Sequence, residues 1–110
     1  MASLVGPDAR AQGAPRVSIA WSRCAIAHMV ELRAYIARDN PEAAGEVAAT
    51  LLAAVERLAE LPHLGRSGRV AGTRELVVPG TPYVIAYRPR GQRLEIIAVF
   101  HGRQKWPKRL

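Results

Sequence analysis

Three short apolar runs near the end of the chain, Arg74 to Val78, Tyr83 to Arg88 and Arg93 to Phe100, constrain the fold more than any other feature. Each is of strand length, is rich in Val, Ile, Leu and Tyr, and is bounded by turn residues. Pro79-Gly80-Thr81-Pro82 separates the first two. Arg88-Pro89-Arg90-Gly91 separates the last two and fits a type I turn, with Pro second and Gly fourth. If Arg88 faces Arg93 across that turn, Tyr87 meets Leu94, Ile85 meets Ile96 and Tyr83 meets Ala98 on one apolar face. The opposite face then carries Val84, Ala86, Arg88, Arg93, Glu95, Ile97 and His101. That mixture suits a partner-binding surface better than a second core.

A sheet with one apolar face needs a cover, and the upstream sequence supplies it. Val17, Ile19 and Trp21 alternate with Ser18 and Ala20, which predicts a short first strand. Ser22 stands where an N-cap belongs. From Arg23 to Arg38 the residues Ala25, Met29, Leu32, Tyr35 and Ile36 recur at helical spacing. Asp39-Asn40-Pro41 ends that helix and starts another, with Asn40 as cap and Pro41 in the first helical position. The second helix runs to about Leu61 with Val47, Leu51, Val55, Leu58 and Leu61 on one side, and Gly45 weakens it slightly. So short a turn makes the two helices an antiparallel hairpin. The expected order is β-α-α-β-β-β, an α+β domain with a helical hairpin packed on a mainly antiparallel sheet. Residues 16–110 form one domain, and the Gly-, Pro- and Ala-rich residues 1–15 read as a flexible N-terminal arm.

Charge divides the 110-residue chain unevenly. Residues 1–61 hold six Arg against seven Asp or Glu, a net −1. Residues 62–110 hold ten Lys or Arg against Glu75 and Glu95, a net +8. The sheet half therefore favours an acidic partner, nucleic acid or an acidic protein segment, over a merely solubilising role. One cysteine, Cys24, excludes an internal disulfide and points to a reducing, cytoplasmic setting. No run approaches a membrane span.

Few residues offer catalytic chemistry. The glycines at 65, 68 and 72 lack the strand-loop-helix setting and the Lys-Ser/Thr ending of a phosphate loop, although Arg66 and Arg69 between them could contact phosphate or carboxylate groups. Glu75 and Glu95 each read as the partner of a neighbouring Arg. His28, His63 and His101 lack metal-ligand spacing, so no metal site and no cofactor are expected. His28 reads as a helix-surface residue. His101 ends a strand beside Arg103, Lys105 and Trp106, but general acid–base work would need a nearby group to tune it. Cys24, in a first helical turn, reads as a packing residue. The tail from His101 to Arg109 sets cations around Trp106. Such a set can bind phosphates and stack on a base, make a protein hot spot, or pin the chain end while its charges stay solvated.

From about residue 16 to 107 the sequence resembles the RelE/ParE superfamily of toxins from bacterial type II toxin–antitoxin systems. The element order carries the resemblance, with Tyr35-Ile36-Ala37 before Asn40-Pro41, Gly72-Thr73-Arg74-Glu75-Leu76-Val77-Val78, Pro82-Tyr83-Val84-Ile85-Ala86-Tyr87-Arg88, Leu94 through Arg103, and Trp106-Pro107. The resemblance implies a RelE/ParE-like fold. RelE-like members cut mRNA on the ribosome with Lys and Arg on the sheet face. Here the matching third-strand Arg is Val84, and the paired second-strand lysines are replaced by Glu75 and Val77. Arg103 matches the Arg after the last strand, and Trp106 stands near a terminal Tyr but cannot serve as an acid or base.

These departures place the chain with the ParE-like branch. They imply a toxin that acts by binding, with DNA gyrase as target and a cognate, partly acidic antitoxin as partner in a toxin–antitoxin hetero-oligomer. Arg66, Arg69, Arg74, Arg88, Arg93, Arg103, Lys105 and Trp106 are the candidate target- or antitoxin-binding residues. The alternative is a ribosome-dependent mRNA endoribonuclease using Arg88, His101 and Arg103. A non-catalytic nucleic-acid-binding module is the third reading.

Overall fold

The structure is a computed structural model that describes residues 17–103. Its elements are β1 (Ser18–Trp21), α1 (Arg23–Ala37), α2 (Pro41–Glu60), β2 (Arg66–Ser67), β3 (Arg74–Val77), β4 (Tyr83–Arg90) and β5 (Arg93–His101). They form a helical hairpin on one face of a five-stranded sheet of order β1-β5-β4-β3-β2. Among the described residues, only β1 and β5 run parallel; the other neighbours are antiparallel. The α+β architecture is thus the expected one, with a two-residue strand, β2, added from the Gly-rich loop.

Local chemistry sets the helix ends. Ser22 Oγ accepts from the Ala25 amide and Asn40 Oδ1 from the Ala43 amide, so each cap satisfies an otherwise orphan donor, and Pro41 opens α2. Leu51, Val55 and Leu58 of α2 and Ala25 and Leu32 of α1 pack on Ile85, Tyr87, Leu94, Ile96 and Val99 of the sheet. Burying each such Leu or Ile contributes roughly 1.5–3 kcal/mol. Two stripe positions fall outside this core. Leu61, at the C-cap of α2, is exposed, and so is Tyr35, whose ring lies 5.9 Å from the Arg38 guanidinium carbon.

The β4–β5 register differs from the expected one. β4 continues through Arg88-Pro89-Arg90, and the turn is Gly91-Gln92, with Gly91 at φ 58°. A left-handed residue in a two-residue turn matches the twist of the flanking strands, which an ordinary type I turn would splay. Pro89 lies beyond the last β3–β4 pair, Arg74 with Tyr87, so its missing N–H costs no bond to β3. Arg88 therefore faces Glu95, and Arg90 faces Arg93.

A second difference follows at Tyr87. It pairs with Ile96 while Ala86 pairs with Ala98, which leaves Ile97 as the extra residue of a β-bulge. Beyond the bulge the alternation of β5 is inverted. Val99 enters the helix-side core, and Ala98 turns to the far face. His101 pairs with Tyr83 on the helix side instead of lying on the far face. The edge of β5 past the end of β1 is completed by α1. The Ser22 amide and hydroxyl donate to the Ile96 and Ile97 carbonyls (3.0 and 2.9 Å), and the Val99 amide donates to His28 Nδ1 at 3.2 Å. His28 is thus a half-buried strand partner, contrary to its reading as a surface residue.

The segment after α2 is tied down at Tyr87. The buried Gly65 amide donates to the Tyr87 hydroxyl at 2.8 Å, and a Cβ at Gly65 would come within 2.8 Å of the Glu75 carbonyl oxygen. Desolvation raises the Tyr87 phenol above its ordinary value of 10.0, while the Gly65 bond and Arg74 pull it down. The folded state thus prefers the neutral phenol. The stability this contributes is whole below pH 10 and is lost as pH climbs past 10 through the raised folded value. Tyr87→Phe should lower the unfolding free energy in urea by about 1–3 kcal/mol, by stranding the Gly65 amide, and should flatten the alkaline loss of stability.

Candidate functional site

The far face of the sheet, away from the helices, has an apolar floor. Val84 and Ala86 of β4 and Ala98 and Phe100 of β5 form a second buried cluster, flanked by Ile97. This corrects the expectation of an open, mixed surface at Val84 and Ala86, and it moves Ala98 here from the helix-covered face. Part of the cover is the segment from β2 to β3. It is closed by bonds from the Gly68 amide to the Thr73 carbonyl (2.8 Å) and from Thr73 Oγ1 to the Val70 carbonyl (2.6 Å). From this segment the Arg69 guanidinium lies 5.3 Å from the Phe100 ring centroid, a cation–π contact.

Glu75 anchors that segment. Its side chain projects from β3 onto the far face and is 1% exposed. Burying a carboxylate costs its hydration unless several donors meet it. Oε2 accepts from the Arg69 amide at 2.9 Å, and Oε1 accepts from Arg69 Nε and Arg66 Nη2, both at 3.4 Å. Both loop arginines are thus engaged by an acid of the same domain, as the sequence suggested for Glu75.

The β4–β5 turn carries the other cation cluster. Arg88 Nε and Nη2 both donate to Glu95 Oε1 at 3.1 Å, Arg93 Nη2 reaches Oε2 at 3.4 Å, and Arg90 Nη1 stands 3.8 Å from Oε2. Arg90 was not among the expected binding residues. Its inclusion follows from the two-residue turn, which puts it in register with Arg93.

The remaining candidates do not converge with these. Arg74 lies on the helix side, where Nη1 donates to the carbonyls of Gly65 (2.6 Å) and His63 (3.4 Å), holding the loop in place. His101 packs edge-on against Tyr83, with ring centroids 5.8 Å apart, and its Nδ1 accepts from the Arg103 amide at 3.1 Å. Tyr83 and Arg88 are five residues apart on β4, roughly 16 Å at strand rise. The structure therefore places His101 and Arg103 at one end of the hairpin and Arg88 at the other. Lys105 and Trp106 lie outside the described residues, as does the N-terminal arm, residues 1–15.

A second surface lies on the helices. Ile26, Met29, Val30 and Arg33 of α1, Ala48 and Leu52 of α2, and Trp21 line a groove of about 380 Å³. Ile26, Val30 and Leu52 are 52%, 64% and 49% exposed, so the hairpin presents aliphatic side chains on its outer face as well as its inner one. The signal was present in the sequence as Ile26 and Val30, four apart and off the core stripe of α1.

The described residues thus form a five-stranded sheet covered on one face by a two-helix hairpin, with an apolar, buried centre on the other. The fold is shared with a solved structure titled chromosomal ParDE TA system from P. aeruginosa, at a TM-score of 0.71 over 80% of this chain and 98% of that one, with 23% identity. Residues 19–106 match the family of the ParE toxin of type II toxin–antitoxin system, parDE, and the chain belongs to that family. It is 44% identical over 93 residues to the Y4kP protein of Sinorhizobium fredii, covering 84% of this chain and 96% of that protein. It is 37% identical over 84 residues to a protein named toxin RelE2 from Caulobacter vibrioides, covering 76% and 93%. Among the described residues no helix is long and apolar enough to cross a membrane.

Glu75→Ala removes the acceptor for the Arg69 amide and for two guanidiniums. Arg66 and Arg69 are 61% and 44% exposed and can rehydrate, so the expected cost is about 2 kcal/mol in urea unfolding, with faster proteolysis between Arg66 and Thr73. Arg66→Ala should cost under about 1 kcal/mol, as for an exposed ion pair.

Proposed function

We propose that this toxin inhibits growth by binding DNA gyrase, and that a cognate antitoxin neutralises it. The observation carrying the proposal is the far face. Its centre is Val84, Ala86, Ala98 and Phe100, and its marginal arginines are ion-paired with Glu75 or Glu95. Phosphodiester cleavage needs cations aimed at the oxygen where charge develops. Here Arg66, Arg69, Arg88 and Arg93 are directed at carboxylates of the same domain. The apolar centre is itself buried, so what this face offers a protein partner is its charged rim.

The helix groove supports the antitoxin half of the proposal. Aliphatic side chains at Ile26, Val30 and Leu52 fit the apolar face of a partner helix, which anchors at i, i+3 and i+4 spacing. The net +8 of residues 62–110 favours an acidic antitoxin segment beside it.

The name of the RelE2 relative keeps the second reading in play, a ribosome-dependent endoribonuclease acting through Arg88, His101 and Arg103. The roughly 16 Å between Tyr83, the partner of His101, and Arg88 weighs against those residues sharing one scissile phosphate. Expressing the chain without an antitoxin separates the two readings. The expected result is DNA breaks and an SOS response with mRNA intact. Codon-positioned mRNA cuts on translating ribosomes, with unbroken DNA, would establish the second reading instead.

A further inference from the structure

At the β4–β5 turn three guanidiniums surround one carboxylate. Among the described residues, Glu95 is the only acid within ion-pairing distance of Arg88, Arg90 and Arg93, so three positive charges meet one negative. Arg90 and Arg93 also face each other directly across the strands, a like-charge pairing that weakens a hairpin. The Arg88 fork already gives Glu95 Oε1 two bonds of 3.1 Å, so the fold gains little from the other two arginines. Their contacts to Oε2 are long, 3.8 Å for Arg90 and 3.4 Å for Arg93, and their side chains are 63% and 60% exposed.

The setting of these charges selects among anions. Arg90, Gly91, Gln92 and Arg93 are all exposed, and the tip they form offers no apolar side chain. Protein-binding surfaces centre on aromatic or aliphatic anchors, whereas surfaces that take a nucleic-acid backbone are polar and strongly positive. A single strand would also want an exposed aromatic ring for its bases, and Phe100, the aromatic of the far face, is buried.

The cations of this face are spread, not focused. Arg66 and Arg69 join the three tip arginines there, five guanidiniums against the two carboxylates Glu75 and Glu95. Arg66 is in register with Glu75, and Glu75 with Ala86, so Arg66 lies two strands from β4. At ordinary strand spacing and rise its backbone is roughly 12 Å from that of Arg88 and roughly 16 Å from that of Arg90. A DNA duplex carries one phosphate per roughly 3.4 Å of each strand, so a row of this length spans several phosphates. Beside the tip a cavity of about 430 Å³, with Arg88, Arg93 and Thr73 among its walls, leaves room for a sugar–phosphate unit.

We infer that the far face binds duplex DNA by its phosphate backbone, with Arg88, Arg90 and Arg93 as the principal contacts and Arg66 at the other end of the row. Phosphate oxygens take the guanidinium donors that point away from Glu95. Such contacts position a duplex and carry no base specificity. The inference goes beyond the gyrase reading and does not depend on it. On a target that itself holds DNA, protein docking and backbone contact would reinforce each other.

The test uses the full chain in anisotropy titrations against fluorescein-labelled probes. These are two short DNA duplexes of unrelated sequence, oligothymidylate and a polyglutamate peptide. Both duplexes should bind equally, with log affinity falling linearly as log salt rises. That slope should become shallower by about 1 in R90Q and about 2 in R90Q/R93Q, and the double variant should bind about tenfold or more weakly at low salt. R57Q removes a charge of the same sign from α2, on the helix side, and should leave the slope unchanged.

The double substitution also removes the like-charge pair, so folding should not suffer, and R90Q alone gives a second reading. An unchanged slope in R90Q/R93Q or an equal change in R57Q would overturn the inference. So would oligothymidylate or polyglutamate bound as tightly as the duplexes with the same arginine dependence. Supercoiling by gyrase is followed separately. If gyrase is inhibited while neither duplex is bound, the proposed function stands and this inference does not.

Discussion

One extra residue in β5 decides what each face of the sheet displays. Because Ile97 has no partner on β4, the side chains after it change sides: Val99 completes the core under the helices, and Ala98 and Phe100 join Val84 and Ala86 on the far face. A regular strand would have put Val99 outside and Ala98 against α1. On the other edge of β5, β1 ends at Trp21, opposite Ile96. Ser22 and His28 of α1 take over from there, so the helix is positioned by hydrogen bonds to the strand as well as by its apolar stripe. Sequence, register and helix placement are coupled through this one position.

The far face follows from that inversion. With an apolar floor, the arginines are confined to its margins, and each marginal cluster is built on one acid. Glu75 is buried and ties the β2–β3 segment down over Phe100 and its neighbours. Glu95 is more open and holds three arginines at the hairpin tip. The two acids therefore do different things. One closes a loop, and its cations are largely spent on that task. The other gathers cations that it cannot neutralise. That difference separates a closed end of the face from one that carries surplus positive charge.

Much of this was legible in the residues. Ser22 and Asn40-Pro41 announced both helices by their capping chemistry, and the turn-bounded apolar runs announced β3, β4 and β5. The pairing of Glu75 and Glu95 with nearby arginines was also readable. The bulge was not. After Glu95 the run Ile96-Ile97-Ala98-Val99-Phe100 is wholly apolar, so no polar residue marks which side each position takes. Pro89 suggested a turn two residues early, because a proline within a strand is rare except where no neighbour needs its amide. The two-residue β2 lies below the length at which any pattern can show. The groove on the helices left a fainter mark, Ile26 and Val30 off the core stripe of α1, and two aliphatic residues do not show by themselves that Leu52 and Trp21 stand beside them.

On the proposed function the toxin acts by docking on a protein target. Titrating the purified chain into DNA gyrase, with supercoiling followed in the same samples, tests that most directly. Saturable binding, with loss of supercoiling at matching concentrations, is the expected result. Gyrase that neither binds the chain nor loses activity at any concentration reached would contradict it.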